Sequence, residues 1–407
     1  MKNILTIFIC ILSFLFSYGQ SPNLNIITTS VPFLLINPNA QSMGIADIGV
    51  VAASEYYESG LTQNPALLSR NKKLIGFKFS YKPWLRQLVP DINMIDANFY
   101  YAFSKKSTLA YSYNLFSLGD ISITDINGNT VGMARPREFY HNLKYAQSLS
   151  PNFSMGIGIK YIVSDLTNNI FINGQQTHTG KAIAADIGLD YRKEIAKKEN
   201  SFWRYDIGTS IVNMGNKINY FNTGNGDFLP MQLSLGTMWT YNKNINTNTR
   251  YCIDLAYQCE KLLVPTPPLY SIGINGNRTI IAGKDPNVSV FNGAYQSFYD
   301  APGGASEEFA EIIHKVGIEN RLIFNKESSI ALRLGHLNES KRKGNRKYFN
   351  IGIGGKYKFI YIDWGMILFY KGYNEIGKPA YILGLKHPYS WNLNIGFKYT
   401  FKEPSDS

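Results

Sequence analysis

Alternation of apolar and polar residues with a period of two, sustained over segments of about 10–13 residues, constrains this chain more than any other feature. In residues 391–401, Trp391, Leu393, Ile395, Phe397, Tyr399 and Phe401 share one face, and Asn392, Asn394, Gly396, Lys398 and Thr400 share the other. Residues 153–163 repeat the pattern, with Phe153, Met155, Ile157, Ile159 and Tyr161 opposite Ser154, Gly156, Gly158 and Lys160. So do residues 183–191 and 231–241. Soluble strands average about 5–6 residues. A tilted strand crossing a bilayer needs about 9–11. A polar face of Gly, Asn, Asp and Lys also argues against a second packed sheet, which would require apolar residues there.

Composition agrees with a membrane barrel and excludes other classes. Of 407 residues, 44% are hydrophobic, 14% aromatic and only 17% charged, against about 25% charged in an ordinary soluble protein. Mean hydropathy is −0.16, too low for a bundle of spanning helices. The long apolar run, Ile4 to Phe16, falls short of the roughly 20 residues a spanning helix needs. With Lys2 before it and Ser17 to Gln20 after it, residues 1–20 read as a secretory signal peptide cleaved near Gly19 or Gln20. Three cysteines exclude a disulfide-dense scaffold. The net charge of +12, or +11 once Lys2 is removed, points to anionic partners. Export makes lipopolysaccharide or an acidic protein the expected partner and excludes nucleic acid.

The fold expected is all-β: a 14-stranded antiparallel transmembrane β-barrel over residues 74–401, with an N-terminal hatch at 21–73 and a periplasmic tail at 402–407. The strands are expected near 74–82, 92–103, 107–118, 138–149, 152–164, 180–192, 202–214, 230–241, 248–259, 312–324, 328–337, 347–358, 360–370 and 389–401. Their connections alternate between longer and shorter. Short turns belong on the periplasmic side and long loops on the cell surface, which places both termini in the periplasm. The connection 193–201 fits least, being as long as 83–91 in the opposite set. Aromatics cluster at strand ends, at Tyr100, Tyr101 and Phe103, at Trp239 and Tyr241, and at Trp391 and Tyr399, as interfacial girdles require. Residues 21–73 lack clean alternation and carry the turn initiators Asn37-Pro38 and Asn64-Pro65. They are expected to fill the lumen, which a barrel of this size leaves open otherwise.

Catalytic motifs are missing. No Walker loop, CxxC or HExxH is present. The five histidines are scattered, so no catalytic or metal site is expected, nor a cofactor. Cys252 and Cys259 are seven apart on one strand and fall on opposite faces, so they do not pair. His141 is expected to face lipid, but the His-x-Ser pattern of lipid A deacylases does not occur.

Binding candidates lie in the long loops. The 83–91 loop sets Trp84, Leu85, Arg86 and Leu88 between two prolines, an apolar and restricted patch. The longest loop, 260–311, carries Phe291 and Tyr295 as weaker candidates. Lys341, Arg342, Lys343 and Arg346, with Lys347 beside them, form a basic run suited to lipopolysaccharide phosphates, although such runs are usually solvated.

Four segments carry a family resemblance. SVPFLLINPNAQSMGIADIGVVA, NPALL, SYKPWLRQLVPDIN and FSLGDISITDINGN together resemble the PorV family of the type IX secretion system of Bacteroidetes, within the broader FadL-like barrel group. The element Asn64-Pro65-Ala66 is shared more widely in that group and marks the hatch. The resemblance implies a non-enzymatic shuttle with no cofactor. It would bind the C-terminal signal domain of exported cargo at the outer-membrane translocon. It would then deliver that cargo to a surface attachment complex containing the sortase PorU. The alternative is a FadL-like transporter of hydrophobic small molecules, which would show an apolar lumen pocket and a break in the wall.

Overall fold

The computed structural model describes residues 24–52, 58–71, 75–84, 89–124, 127–166, 171–172, 175–222, 224, 226–273, 277–325, 327–369 and 390–399. The leader, Leu85, Arg86 and Leu88, the connection 371–388, Phe401 and the tail 402–407 lie outside the described residues.

Fourteen antiparallel strands close into one barrel. They are β1 (Ile75–Pro83), β2 (Asn93–Tyr101), β3 (Ser107–Ser117), β4 (Arg137–Ser148), β5 (Phe153–Asp165), β6 (Gly180–Lys198) and β7 (Ser201–Gly215), followed by β8 (Gln232–Asn244), β9 (Thr249–Leu262), β10 (Ile313–Phe324), β11 (Ser328–Asn338), β12 (Lys347–Tyr357), β13 (Ile360–Phe369) and β14 (Ser390–Tyr399). Each pairs with its sequence neighbour, and β14 closes on β1 from Ile75↔Tyr399 to Tyr81↔Leu393. Every expected strand is present. The anomalous connection 193–201 resolves as strand: β6 runs to Lys198, with a bulge near its end, and β7 begins at Ser201. Its charged stretch, Arg192 to Lys198, lacks alternation because this end of the hairpin projects beyond the hydrocarbon, where neither face needs to be apolar.

Burial runs opposite to that of a soluble protein. The apolar faces point out, with Ile159 at 63%, Ile183 at 60% and Leu332 at 58% exposure. The polar faces point in, with Lys78, Lys144, Arg321 and Arg333 each at 1%. A hydrocarbon solvent accounts for both halves of this division. Aromatic rings gather on the outer face near the short turns, where the ring centres of Trp203 and Tyr241 lie 4.9 Å apart, those of Tyr205 and Trp239 5.7 Å and those of Phe103 and Tyr145 6.3 Å. Tyr100 departs from the expected girdle. It points inward, is 2% exposed, and lies over Gly76 on the neighbouring strand. Adjacent residues of a strand cannot share a face, so only Tyr101 of that pair reaches the interface. His141 does sit on the outer face, its Nδ1 2.6 Å from the Tyr111 hydroxyl. Cys252 points inward toward Asn242 Oδ1 at 2.9 Å, Cys259 lies on the opposite face half-buried, and neither forms a disulfide.

Residues 24–52 and 58–71 run inside the barrel from one end to the other. Near the long loops, Val31 and Phe33 join a core with Met94, Phe116, Tyr140, Ile162 and Leu229. Helix α1 (Ala40–Gly44) lies against β12, β13 and β14, and a 3-10 helix at Pro65–Arg70 lies against β4, β5 and β6. Lumen-facing glycines permit this close approach. A Cβ at Gly208 would meet the Val50 carbonyl, one at Gly335 the Ile45–Ala46 backbone, and one at Gly156 the Pro65–Ala66 backbone. At the short-turn end, Arg70 donates to the carbonyls of Pro151 at 2.9 Å and Asn152 at 2.8 Å. At the long-loop end, Asn25 N donates to the Arg342 carbonyl at 2.9 Å. The first described residues and the end of β14 therefore lie at opposite ends of the barrel, while the two termini expected in the periplasm lie outside the described residues.

Candidate functional site

Two places have the build of a site: the filled lumen and the platform of long connections. In the lumen, Asn64 shows why the Asn-Pro-Ala element has its residue types. Its Oδ1 accepts from Ala66 N at 3.1 Å and caps the 3-10 helix, while Pro65 occupies the first helical position. Its Nδ2 donates to the Val50 carbonyl at 2.7 Å and the Leu189 carbonyl at 3.0 Å. One fully buried side chain thus joins the helix, the rest of the hatch and the barrel wall. Asn39 does the same work for α1. It caps Gln41 N at 3.0 Å and receives Asn394 Nδ2 from β14 at 3.1 Å. Sequence reasoning missed Asn39, although the repeat of Asn-Pro in Asn37-Pro38-Asn39-Ala40 and Asn64-Pro65-Ala66 could have flagged it. Gln258 of β9 holds the backbone of Gly49 and Val50, both donating to Oε1 at 3.0 Å.

A chain of ion pairs lines the wall around the hatch. Arg333 links Glu319 and Asp363, at 2.7 Å to the latter, and Arg321 lies 3.1 Å from both Asp254 and Glu319. Lys160 reaches Asp186 at 3.3 Å, and Arg70 reaches Asp190 at 2.9 Å. The space left among Leu34, Ile36, Tyr140, Val212, Lys160 and Glu260 is about 80 Å³, well below the roughly 300–1,000 Å³ of small-molecule sites. A register shift in the described wall falls between Ala185 and Ile187 of β6. It is stitched shut, because Asn216 Oδ1 accepts from Ile183 N at 2.8 Å and Asn216 N donates back to the Ile183 carbonyl at 3.3 Å.

The long-loop platform is built on the connection between β9 and β10. Helix α2 (Val290–Gln296) starts at the cap Ser289, buries Gly293 against Phe228 and Pro265, and turns its other face outward. That face presents Phe291 at 74% and Tyr295 at 71% exposure, one helical turn apart as i, i+4 neighbours. Tyr299 meets Tyr295 edge-on at 5.2 Å, and Lys284 Nζ lies 3.6 Å from the Tyr299 ring centre. Phe309 of α3 (Ala305–Ala310) is exposed as well. Beneath these rings the loop is fixed by charge. Lys343 pairs with Glu307 at 2.6 Å and Glu311 at 2.9 Å, and Lys261 with Glu308 at 3.2 Å. Thr266 donates its hydroxyl to Glu311 at 2.6 Å and its backbone N–H to Asp300 at 3.1 Å. Burial pushes the Asp300 carboxyl up to about 6, with Glu308 and Glu311 adding to the rise against the Thr266 hydrogen bond. Burial opposes the Glu307 charge too, but Lys343 and the Gly303 amide hold that carboxyl below its ordinary value.

The sequence candidates divide on this platform. Phe291 and Tyr295 are displayed together. Trp84 instead packs, half-buried, against the Phe33 core with Lys82 Nζ 5.2 Å from its ring. Of the basic run, Lys343 is buried in its pairs, and Arg346 is bound to Glu339 at 2.8 Å. Lys341 is exposed and Arg342 half-buried. The exposed hairpin formed by Leu269–Ile272 and Arg278–Ala282, with Ile272 and Ile281 outermost, was read only as loop. Four- and five-residue strands with both faces in water leave no alternation to read.

The chain matches the family model described as "Type IX secretion system protein PorV" over residues 19–269. No curated protein sequence matches it. Among solved structures it is similar to the Pseudomonas putida toluene transporter TodX, at 10% identity and TM-score 0.44, covering 88% of this chain and 98% of that one. It is similar to a Pseudomonas aeruginosa FadL homologue at 8% identity and TM-score 0.41, covering 93% and 100%. LpxR from Salmonella typhimurium matches at 9% identity and TM-score 0.37, covering 80% and 100%. Likeness at this level says nothing of what the barrel binds. The family model spans more than half of the sequence, and the chain, an outer-membrane β-barrel, belongs to the PorV family of the type IX secretion system.

Proposed function

We propose that this barrel is the outer-membrane shuttle of its secretion system, binding the C-terminal signal domain of exported cargo and handing it to a surface attachment complex. The observation that supports this reading most is the contrast between its two candidate sites. The lumen holds residues 24–52 and 58–71, and the cavity described among them, about 80 Å³, is too small for a ligand of ordinary size. The long-loop platform instead displays Phe291, Tyr295, Phe298 and Phe309, each more than half exposed, on a base fixed by buried ion pairs. Exposed aromatics on a rigid support are what a protein-binding surface needs.

In this reading the long connections face the cell surface. The docking surface centres on Phe291 and Tyr295, and the 83–91 connection, with Leu85, Arg86 and Leu88 among its candidate contacts, is proposed to contribute to it from the base that Trp84 anchors on the Phe33 core. Lys341 and Arg342 are the cations placed to meet lipopolysaccharide phosphates. The translocon and the PorU sortase complex would approach the same face. The protein itself catalyses nothing in this scheme. The test is Phe291→Ser with Tyr295→Ser in a correctly inserted barrel. The reading expects cargo-signal binding to fall at least tenfold, since interface aromatics are worth about 2 kcal/mol or more each. Unchanged binding would remove this surface.

A further inference from the structure

We infer that Leu24–Ser30 is a strap that enters the barrel from the long-loop end and ties three long connections together. The processed N-terminus therefore emerges on the same side of the membrane as those connections. Asn25 supplies the knots. Its Nδ2 donates to the Pro267 carbonyl at 3.1 Å and to Glu307 Oε1 at 2.9 Å, both in the connection between β9 and β10. Its backbone N–H donates to the Arg342 carbonyl at 2.9 Å, in the connection between β11 and β12. Ser30 N donates to the Phe228 carbonyl at 3.0 Å, in the connection between β7 and β8. Glu307 is also the partner of Lys343 at 2.6 Å, so the strap locks onto the ion-pair cluster that fixes the platform.

Chain reach settles the side. Beyond Ser30 the chain turns down into the lumen through Val31 and Phe33 and leaves at Arg70, beside Pro151 and Asn152 of a short turn. Signal cleavage near Gln20 leaves about four residues before Asn25, which extend at most ~14 Å. The apolar band of such a barrel is about 25 Å tall. An end so close to Asn25 cannot return through a lumen that the following residues already fill. Leu24 is 65% exposed and Ile26 43%, so the strap lies on the platform and is not buried beneath it. Asn25 is a positioning residue: it aligns the connections that the docking reading uses, but the inference stands on geometry and goes beyond that reading.

The experiment uses the full-length chain in its native outer membrane with two epitopes, one after Ser21 and one after Gly128, whose surroundings in its long connection are open. Antibody labelling is compared on intact and permeabilised cells. Labelling of both epitopes under the same condition supports the inference; labelling under different conditions overturns it. Both appearing on intact cells also supports the sidedness used in the cargo reading, and both appearing only after permeabilisation would refute that sidedness alone. The tie is read separately by hydrogen exchange on the purified barrel. Asn25→Ala should speed exchange of the Glu307, Glu308 and Glu311 amides about tenfold while β10 and β11 stay protected. Unchanged exchange there would overturn the strap's hold on the platform.

Discussion

Replacing Asn64 with Ala removes three hydrogen bonds at the point where hatch and wall meet. The lost cap to Ala66 N, at 3.1 Å, costs about 1 kcal/mol. The carbonyls of Val50 and Leu189, 2.7 and 3.0 Å from Nδ2, lose their side-chain donor. Each such loss costs about 1–3 kcal/mol. The sum, about 3–7 kcal/mol, falls on the hatch and not on the barrel ladder, so the prediction is local opening with an intact wall. Hydrogen exchange of the amides in 64–71 should rise by at least a hundredfold in the reconstituted protein, with β5 and β6 unchanged, and single-channel recordings should show intermittent conductance. A companion substitution checks the cause. Gly188 lies against Asn64, where an added Cβ would collide with Oδ1. Gly188→Ala should therefore be severe alone and milder when combined with Asn64→Ala, a coupling above about 1 kcal/mol. Additive effects, or wild-type exchange in Asn64→Ala, would refute the claim that this asparagine joins hatch to barrel.

Other predictions follow from the same physics. Arg333→Met removes the cation that Glu319 and Asp363 share and should lower stability by about 3–5 kcal/mol in urea unfolding of the reconstituted barrel. Leu332→Arg, on the outer face in the middle of β11 at 58% exposure, should cost about 2–4 kcal/mol in the same unfolding measurement. The platform should loosen as pH rises. Asp300 has its carboxyl raised from 3.8 to about 6, so the penalty of its charged form is absent below pH 3.8 and complete above about 6. That penalty is roughly 1 kcal/mol once solvent screening is allowed for. Proteolysis of the 263–312 connection should accelerate across that window, and Asp300→Asn should abolish the dependence. Glu307 works in the other direction. Its lowered value adds stability above the ordinary 4.5 that is lost as pH falls through the folded value, so Glu307→Gln should weaken the platform at neutral pH and matter little in acid.

Much of the barrel was legible because a bilayer enforces one rule along its whole thickness. Ile157, Ile159 and Tyr161 must face hydrocarbon, while Gly156, Gly158 and Lys160 must face the lumen, and a slip of one residue would reverse both. That rule lapses where the chain leaves the membrane. The end of β6, from Lys193 to Lys198, therefore carries no strand signature in the sequence although it remains paired with β7. Lumen glycines read from sequence only as small polar positions. Their meaning appears once Gly208 and Gly335 are seen against the hatch backbone. The basic run was legible as charge but not as partnership. Lys343 finds Glu307 and Glu311 over a distance in sequence that no local pattern spans. Trp84 read as a displayed aromatic because its flanking prolines mark a restricted loop, whereas Phe33 of the hatch, 51 residues earlier, supplies the core that half-buries it. Phe291 and Tyr295, the weaker candidates by sequence, are more exposed than Trp84, since their helix of seven residues is fixed by Gly293 packing and not by a periodic sequence.

Affinity purification of the full-length protein from its native outer membrane, with mass spectrometry of everything retained, tests the central claim most directly. The account predicts secreted proteins still bearing uncleaved C-terminal signal domains, lost from the sample when Phe291 and Tyr295 are both changed to Ser. Recovery of bound fatty acid with no such protein would contradict it and favour a transporter of hydrophobic small molecules.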